Sequence, residues 1–156
     1  MSMLPNYLKR KLRPKIIDYF HRFYYHSSDT WFRNTFLGYE IQQCPLDLQL
    51  YQELVARIRP SFILQTGVNQ GGSVLYFASL LDLIKADAEG LVIGIDLTLT
   101  ERARTLTHPR IRLLEGDSTD PAIVQQVKAL VAGCTGLVSL DSDPLKSSCA
   151  EGAAHL

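Results

Sequence analysis

The residues best suited to chemistry form a glycine-rich stretch at positions 67–73, which reads GVNQGGS. Glycine at three of these seven positions lets the backbone approach a ligand closely, and a helix starting behind the stretch offers unpaired N–H groups. The phosphate-binding pattern G-x-x-x-x-G-K-[ST] matches Gly67 and Gly72 but meets Ser73 where its lysine belongs. The dinucleotide pattern G-x-G-x-x-G fails because Asn69 stands at its second glycine. The stretch therefore favours neither a nucleoside triphosphate nor NAD, and a simple turn between a strand and a helix remains an alternative.

Carboxylates follow the next three apolar segments along the chain. Asp96 ends the segment VIGID, Asp117 follows IRLLEG, and Asp141 and Asp143 follow LVSL. A carboxylate in the position of Asp96 accepts hydrogen bonds from both hydroxyls of a ribose. Successive strand-end carboxylates beside a glycine loop suit a cationic ligand with hydroxyls and repel bare phosphates. For Asp117 or Asp143 alone, a role in a turn or a helix cap is an equal alternative.

A scaffold must bring these strand ends together, and the pattern of residues 61–141 indicates one. Short apolar runs alternate with helical stretches, which is typical of strands joined by right-handed βαβ crossovers in a parallel sheet. We predict an α/β fold with a Rossmann-like, doubly wound parallel sheet of about four strands, incomplete for its class and preceded by N-terminal helices. The predicted strands are 61–66, 91–96, 111–115 and 137–141, and the predicted helices between them are 73–86 and 121–131, the latter capped by Asp120 or Thr119.

An amphipathic basic segment precedes this region, between residues 4 and 25. Its apolar residues recur every three or four positions, as on one face of a helix, with Lys and Arg between them. Pro14 lies inside the segment and favours two helical pieces over one. Two uses of the segment remain open: packing on the main domain or a second subunit, or contact with a membrane surface or an acidic partner. The residues of the apolar stripe are Leu8, Leu12, Ile16, Phe20 and Phe23.

The stretch at residues 27–47 shows neither helical nor strand periodicity and predicts an irregular linker with short structure. Residues 48–58 predict a helix that Asp47 caps and Pro60 stops. Three units follow from these boundaries: an N-terminal amphipathic segment and linker at 1–47, the Rossmann-like domain at 48–143 and an irregular tail at 144–156.

The composition excludes several classes of protein. The chain has 156 residues with 16 Lys+Arg and 16 Asp+Glu, so its net charge gives no global reason to expect a nucleic acid partner. This neutrality averages 9 basic and 5 acidic residues in positions 1–60 with 7 basic and 11 acidic ones in 61–156. Three cysteines without a C-x-x-C pair argue against a disulfide framework or a zinc site and predict a reducing, cytoplasmic setting. The longest apolar run, 74–84, is shorter than the roughly 20 residues of a membrane span.

The ordered motifs resemble those of the cephalosporin hydroxylase family, a branch of the class I S-adenosylmethionine-dependent methyltransferase fold that includes rhamnosyl O-methyltransferases. The resemblance covers roughly residues 30–143 and implies an O-methyltransferase, or its cofactor-binding half. The implied acceptor is a hydroxyl of a sugar, a glycolipid or a small natural product. The implied cofactors are S-adenosylmethionine and, in addition, Mg²⁺. The matching motifs are QTGVNQGGS at 65–73, FASLL at 77–81, IGID at 93–96, GDSTD at 116–120 and LDSD at 140–143.

The same resemblance implies roles for individual residues. The glycine loop would hold the methionine portion of the cofactor, Asp96 its ribose, and Asp117 with Ser118 the adenine side. Asp141 matches a family carboxylate that lies near the sulfonium or contributes to a Mg²⁺ site, so it is the implied catalytic and metal-binding residue. The implied cofactor-binding residues are Gln65, Gly67, Gly71, Gly72, Ser73, Asp96, Asp117 and Ser118.

The chain departs from the family pattern at three points. Gln65 replaces the usual glutamate, which removes a charge but keeps an acceptor and predicts weaker cofactor binding. Pro144 stands where the pattern Asp-Ser-Asp-His has its histidine, so a general base is missing there. The strand pattern also ends early, which predicts a C-terminal truncation, a frameshift after about Asp143 or a degenerate copy.

These departures keep a second function open, a non-catalytic module of the same fold used for binding or oligomerisation. The hydroxylase activity in the family's name requires iron, and the sequence shows no His-x-Asp facial triad for it.

Overall fold

The computed structural model describes residues 5–27, 29–84 and 90–141, which form an α/β fold. A 3₁₀ turn at Trp31–Arg33 follows the first helix. The helices are α1 (Asn6–His26), α2 (Pro45–Ile58), α3 (Gly72–Leu83), α4 (Glu101–Arg104) and α5 (Pro121–Val131). The strands are β1 (Thr35–Phe36), β2 (Tyr39–Glu40), β3 (Phe62–Thr66), β4 (Leu91–Asp96), β5 (Ile111–Glu115) and β6 (Gly136–Leu140).

The central sheet is parallel and has four strands in the order β5-β4-β3-β6. Thr66, the last residue of β3, lies opposite Ile95 of β4 on one side and Leu140 of β6 on the other. The strand order reverses at β3, and open α/β sheets bind ligands at such a reversal. Each predicted strand is confirmed to within one residue of its bounds.

Helices cover both faces of this sheet. On one face α3 buries Phe77 and Leu81 completely, and Val55 of α2 joins the same apolar cluster. On the other face α5 places Ile123 and Val127 against apolar side chains of β3 and β4. The predicted doubly wound architecture is therefore confirmed, with the sheet between two apolar layers.

Helix α1 corrects one expectation and narrows another. It runs unbroken from Asn6 to His26, so the prediction of two pieces around Pro14 is wrong. The proline removes the N–H that would bond the carbonyl of Arg10, but both residues are exposed and water can satisfy this carbonyl. The stripe also does not pack on the main domain within the described residues, because no residue of α1 is buried there.

The start of α2 differs from the prediction, and its end confirms it. The helix begins at Pro45 with Cys44 in the N-cap position, so Asp47 lies in the first turn and does not cap it. Pro45 fits the first position because its missing N–H would be unpaired there, and Asp47 still favours the positive end of the helix dipole. Arg59 adopts a left-handed conformation that ends the helix directly before Pro60.

Short elements complete the described chain. The predicted linker contains an antiparallel hairpin of β1 and β2, in addition to the 3₁₀ turn. Helix α4 occupies a region without a predicted element, and Thr100 caps it by accepting the N–H of Ala103 at 3.1 Å. Asp120 caps α5 as predicted, accepting the N–H of Ala122 at 2.7 Å.

Several predictions lie outside the described residues. They concern residues 85–86 of the predicted helix 73–86, Asp143, Pro144 and the tail at 144–156. Within the described residues α3 ends earlier than predicted, at Leu83 with Ile84 as its C-cap. Over residues 5–27, 29–84 and 90–141, no helix is both long and apolar enough to pass through a membrane.

An ion pair between α3 and the start of β5 makes the fold sensitive to acid. Asp82 accepts a hydrogen bond from Nε of Arg110 at 2.6 Å and lies 3.2 Å from Nε2 of His108. The hydrogen bond from Arg110 lowers the pKa of Asp82 below its usual range. Because the folded pKa is the lower one, the pair stabilises the fold above the unfolded pKa of about 3.9 and loses this contribution as the pH falls through the folded value.

We therefore expect Asp82→Asn to reduce the free energy of unfolding at neutral pH by up to about 1 kcal/mol, since the pair is partly exposed. Urea unfolding at several pH values measures this effect, and the two proteins should converge in strong acid. Asp29→Asn, which breaks the exposed pair of Asp29 with Arg33, is the matched control and should change stability less. An equal loss in both variants at every pH would contradict the assignment.

Candidate functional site

The carboxyl ends of β3, β4 and β6 meet at one edge of the sheet. Hydrogen bonds continue past the strands there: Gly116 donates to the carbonyl of Asp96 at 2.8 Å, and Asp141 donates to the carbonyl of Thr66 at 3.1 Å. Gly67, the first residue of the glycine loop, follows Thr66 directly. The structure thus brings the loop, Asp96 and Asp141 to adjacent positions, as the strand pattern predicts.

The glycine loop has the conformation that its composition suggests. Gly67 (φ 81°), Asn69 (φ 48°) and Gly71 (φ 89°) all have left-handed backbone angles. A side chain at Gly71, the N-cap of α3, would also collide with Leu106. Because other residues rarely adopt these angles, the loop needs glycine at its two ends to turn from β3 into α3.

Asp96 holds this loop in place. Its Oδ2 accepts the backbone N–H of Val68 at 2.8 Å and that of Asn69 at 3.0 Å. Its Oδ1 lies 3.4 Å from the N–H of Thr98. The loop therefore engages Oδ2, a contact that the sequence did not predict. Among the described residues Oδ1 makes one long contact, to the N–H of Thr98 just after β4.

Gln65 supports the loop from below and is completely buried. Its Nε2 donates to the carbonyl of Gly67 at 2.8 Å and to the hydroxyl of Ser73 at 2.7 Å. A carboxylate has no proton to donate to that carbonyl. The glutamine at this position therefore supplies a hydrogen bond to the loop carbonyl of Gly67 that a glutamate could not make. The other amide atom, Oε1, is buried and has no hydrogen-bond partner among the described residues. Buried polar atoms are usually hydrogen-bonded, so this oxygen is an exception.

Asp117 and Ser118 follow β5 at the same edge. Asp117 accepts the N–H and the hydroxyl of Thr119, both at 2.8 Å, and these bonds lower the pKa of its carboxyl. This is the turn geometry that the sequence left open for Asp117. Ser118 is half-buried beside it. The two cavities at this edge are not lined by Asp117 or Ser118, so their assignment to the adenine side stays a prediction. They are not lined by Gln65, Gly71, Gly72 or Asp96 either, so the cofactor-binding roles of these residues also stay predictions.

Asp141 has a partner in the linker that sequence reasoning missed. Gln43 donates from Nε2 to Oδ2 of Asp141 at 2.8 Å, while its own Oε1 is buried and unpartnered within the described part of the chain. Burial raises the pKa of Asp141; the Gln43 hydrogen bond opposes this rise and the charge of Asp47 adds to it. In the sequence, the one indication that the linker belongs to the site was that the family resemblance begins near residue 30, inside the linker.

Two cavities meet at Asp141. The first, of about 550 Å³, runs along the glycine loop, and the second, of about 510 Å³, lies between the linker and α2. Four residues line both: Trp31, Gln42, Gln43 and Asp141. The loop cavity also contains Glu40, Ile41, Gly67, Val68, Asn69 and Ser73, and the linker cavity Tyr25, Cys44, Asp47, Leu50, Tyr51 and Leu54.

The linker cavity combines aromatic rings with polar groups. Burial raises the pKa of Tyr25 to about 12, and the charge of Asp47 acts in the same direction, so its phenol stays protonated at neutral pH. The hydroxyl of Tyr51 lies 3.0 Å from that of Ser139 in β6, and the two are hydrogen-bonded. Aromatic faces beside hydroxyl and carboxylate groups can bind a ligand that has both apolar faces and hydroxyls, as a sugar ring has.

The residues fit a cofactor and a metal to different degrees. The N–H groups at the start of α3 can bind a carboxylate, and the carboxylate of Asp96 can accept hydroxyls or an ammonium group. For Mg²⁺, the described residues contain no group of three or more His, Cys, Asp or Glu side chains. Mg²⁺ is usually bound by one or two carboxylates together with several water ligands. Asp141 supplies one carboxylate, which is the minimum of that range.

A parallel sheet with a glycine loop and strand-end carboxylates at its switch point defines a Rossmann-like ligand-binding domain. Solved structures of CmcI share this fold: one described with SAH superposes with a TM-score of 0.63 at 22% identity, covering 81% of this chain and 61% of that one. Another, described with Mg and SAM, superposes with a TM-score of 0.58 at 24% identity and covers 72% of this chain and 46% of that one.

The family match is more specific. Residues 28–152 match the family described as Rhamnosyl O-methyltransferase/CmcI, and the chain belongs to this family. The resemblance seen in the sequence motifs is thereby confirmed. Rhamnosyl O-methyltransferase of Mycobacterium bovis (strain BCG / Pasteur 1173P2) is 30% identical over 131 residues, which are 82% of this chain and 52% of the relative. Rhamnosyl O-methyltransferase of Mycobacterium leprae (strain TN) is 29% identical over 130 residues, which are 82% of this chain and 56% of the relative. The chain spans about half the length of these relatives.

Proposed function

We propose that this chain is the S-adenosylmethionine-binding half of an O-methyltransferase that acts on a hydroxyl of a sugar, a glycolipid or a small natural product. The observation that carries the proposal is the glycine loop, held by Asp96 at the switch point of the sheet in a chain of this family. A sulfonium cofactor suits the acidic α/β portion of the chain, because carboxylates attract a cation.

The loop cavity is the proposed cofactor site. The N–H groups at the start of α3 would bind the methionine carboxylate, and Gln65 with Ser73 would keep the loop in this shape from below. Oδ1 of Asp96 is the oxygen left to accept a ribose hydroxyl, since Oδ2 is engaged by the loop. Asp117 and Ser118 would lie towards the adenine.

The linker cavity is the proposed acceptor site. Asp141 lines both cavities, so an acceptor hydroxyl beside it would face the methyl group in line with the sulfonium, and this positioning supplies much of the rate in a transfer between two bound molecules. In the transfer the O–CH₃ bond would form as the S–CH₃ bond breaks, the sulfonium would become a neutral thioether, and the hydroxyl proton would pass to water. Asp141, with Oδ2 held by Gln43, would orient the hydroxyl through Oδ1. Mg²⁺, if Asp141 binds it, would lower the pKa of the hydroxyl.

Calorimetric titration of the purified chain with S-adenosylmethionine tests the proposal. We expect saturable binding of one molecule per chain and no binding of NAD, since the loop lacks the dinucleotide pattern. Absence of S-adenosylmethionine binding would overturn the assignment.

A second measurement distinguishes the alternative function. Transfer of a labelled methyl group to methyl rhamnoside, with and without Mg²⁺, would support the enzyme. Pro144 at the family's histidine position favours the other outcome, cofactor binding without transfer, which would support the non-catalytic module.

A further inference from the structure

Helix α1 extends from the domain as an exposed surface. None of its 21 residues is buried, and Tyr7, Ile16 and Phe23 are 72%, 61% and 75% exposed. Its last turn is attached: Asn34 donates to the hydroxyl of Tyr24 at 2.6 Å, and other linker side chains bond the end of the helix. The helix is therefore anchored at its C-terminal end, while Tyr7, Ile16, Tyr19 and Phe23 stay largely exposed.

The charges of α1 identify the chemistry that fits it. Residues 6–15 contain five cations and no acid, and the sole acid of the helix, Asp18, pairs with Arg22 at 3.0 Å. The apolar side chains of the stripe, at positions 8, 12, 16, 20 and 23, follow one another at steps of three or four and form one face. The cations of the first half are Lys9, Arg10, Lys11, Arg13 and Lys15.

We propose that α1 docks on a membrane surface that carries anionic phospholipid, with the apolar face in the interfacial layer. A helix with a basic polar face and aromatic and aliphatic residues opposite is suited to this position. At about 1.5 Å per residue the five cations, from Lys9 to Lys15, lie within about 9 Å along the helix, so they form one concentrated basic cluster that attracts anionic headgroups. Parallel pairing with the same helix of a second copy would bring the two sets of five cations together, which repels.

This docking surface is connected to the site. Tyr25, in the last turn of α1, lines the linker cavity, and Trp31 donates from Nε1 to the carbonyl of Tyr25 at 3.0 Å. A helix lying on a membrane therefore brings the linker cavity close to the lipid surface. The proposal itself depends only on α1 and stands whether or not the chain binds S-adenosylmethionine.

Flotation of the full chain with vesicles tests the proposal. We expect binding to phosphatidylcholine vesicles that contain phosphatidylglycerol, with roughly tenfold weaker binding to phosphatidylcholine alone. Raising the salt from about 0.1 M to about 1 M shortens the Debye length from roughly 10 Å to 3 Å and should release most of the protein. Equal binding to both vesicles, or no binding to either, would overturn the proposal.

Two variants with equally exposed side chains separate docking from unfolding. Phe23→Glu places a charge on the apolar face and should abolish flotation, whereas Leu83→Glu, at a residue 76% exposed on α3, should leave it unchanged. Circular dichroism verifies that both are folded. Light scattering then tests the competing occupant: a dimer that Phe23→Glu converts to a monomer, without vesicle binding by the parent chain, would assign the face to a second copy.

Discussion

Replacing Asp96 by alanine is expected to weaken the binding of S-adenosylmethionine about 100-fold. The change removes the acceptor for the N–H groups of Val68 and Asn69, so the loop must be ordered when the ligand binds. Hydrogen bonds to a charged group contribute about 1.5–3 kcal/mol each, and about 1.4 kcal/mol corresponds to a factor of ten in affinity, so losing two such bonds accounts for the effect. Calorimetric titration of parent and variant measures it.

Two further variants make this result specific. Asp96→Asn keeps an acceptor oxygen for the loop but loses the charge, so its affinity should lie between those of parent and alanine variant. Asp120→Ala is the control, because Asp120 also lies between a strand and a helix, as the N-cap of α5. This change should lower the free energy of unfolding by about 1 kcal/mol and leave the affinity for S-adenosylmethionine unchanged. If Asp96→Ala binds S-adenosylmethionine as the parent does, the loop contact has no part in cofactor binding.

Gly72→Ala is expected to lower the free energy of unfolding by about 1–3 kcal/mol, the usual cost of overpacking. A methyl group at Gly72 would collide with the backbone carbonyl of Glu40 and press on Ile41, where the hairpin crosses the start of α3. Alanine's advantage over glycine inside a helix, about 1 kcal/mol at most, is smaller than this cost. Urea unfolding followed by circular dichroism measures the difference.

Gly133→Ala is the control for backbone strain without collision. Gly133 has a φ of 76°, and an added methyl group there meets nothing within 4 Å. Its cost should be about 1–2 kcal/mol, that of a left-handed alanine, and should leave S-adenosylmethionine binding unchanged. Gly72→Ala should also weaken that binding, because the hairpin and the loop form the walls of one cavity. A Gly72→Ala protein as stable as the parent would contradict the close contact of hairpin and helix.

The periodic elements could be predicted because each follows from local rules. The four strands of the sheet are continuous apolar runs, and α5 begins with an aspartate cap and a proline, so their bounds agree with the structure to within one residue. Pro14 is an exception to the rule that proline ends a helix, because water can bond the free carbonyl in an exposed helix. The domain boundaries, the cytoplasmic setting and the effect of Gln65 on affinity stay predictions.

The amino-acid sequence by itself determined the parallel sheet, the glycine loop and the carboxylates at its edge, because strand periodicity and glycine spacing are local properties. Only the tertiary structure decided how these groups are used. It turned Oδ2 of Asp96 towards the loop and made Gln65 a donor beneath it. It also brought Gln43, 98 positions away along the chain, to Asp141. Such contacts depend on how a linker without periodicity folds back over the sheet, and no local pattern records that path.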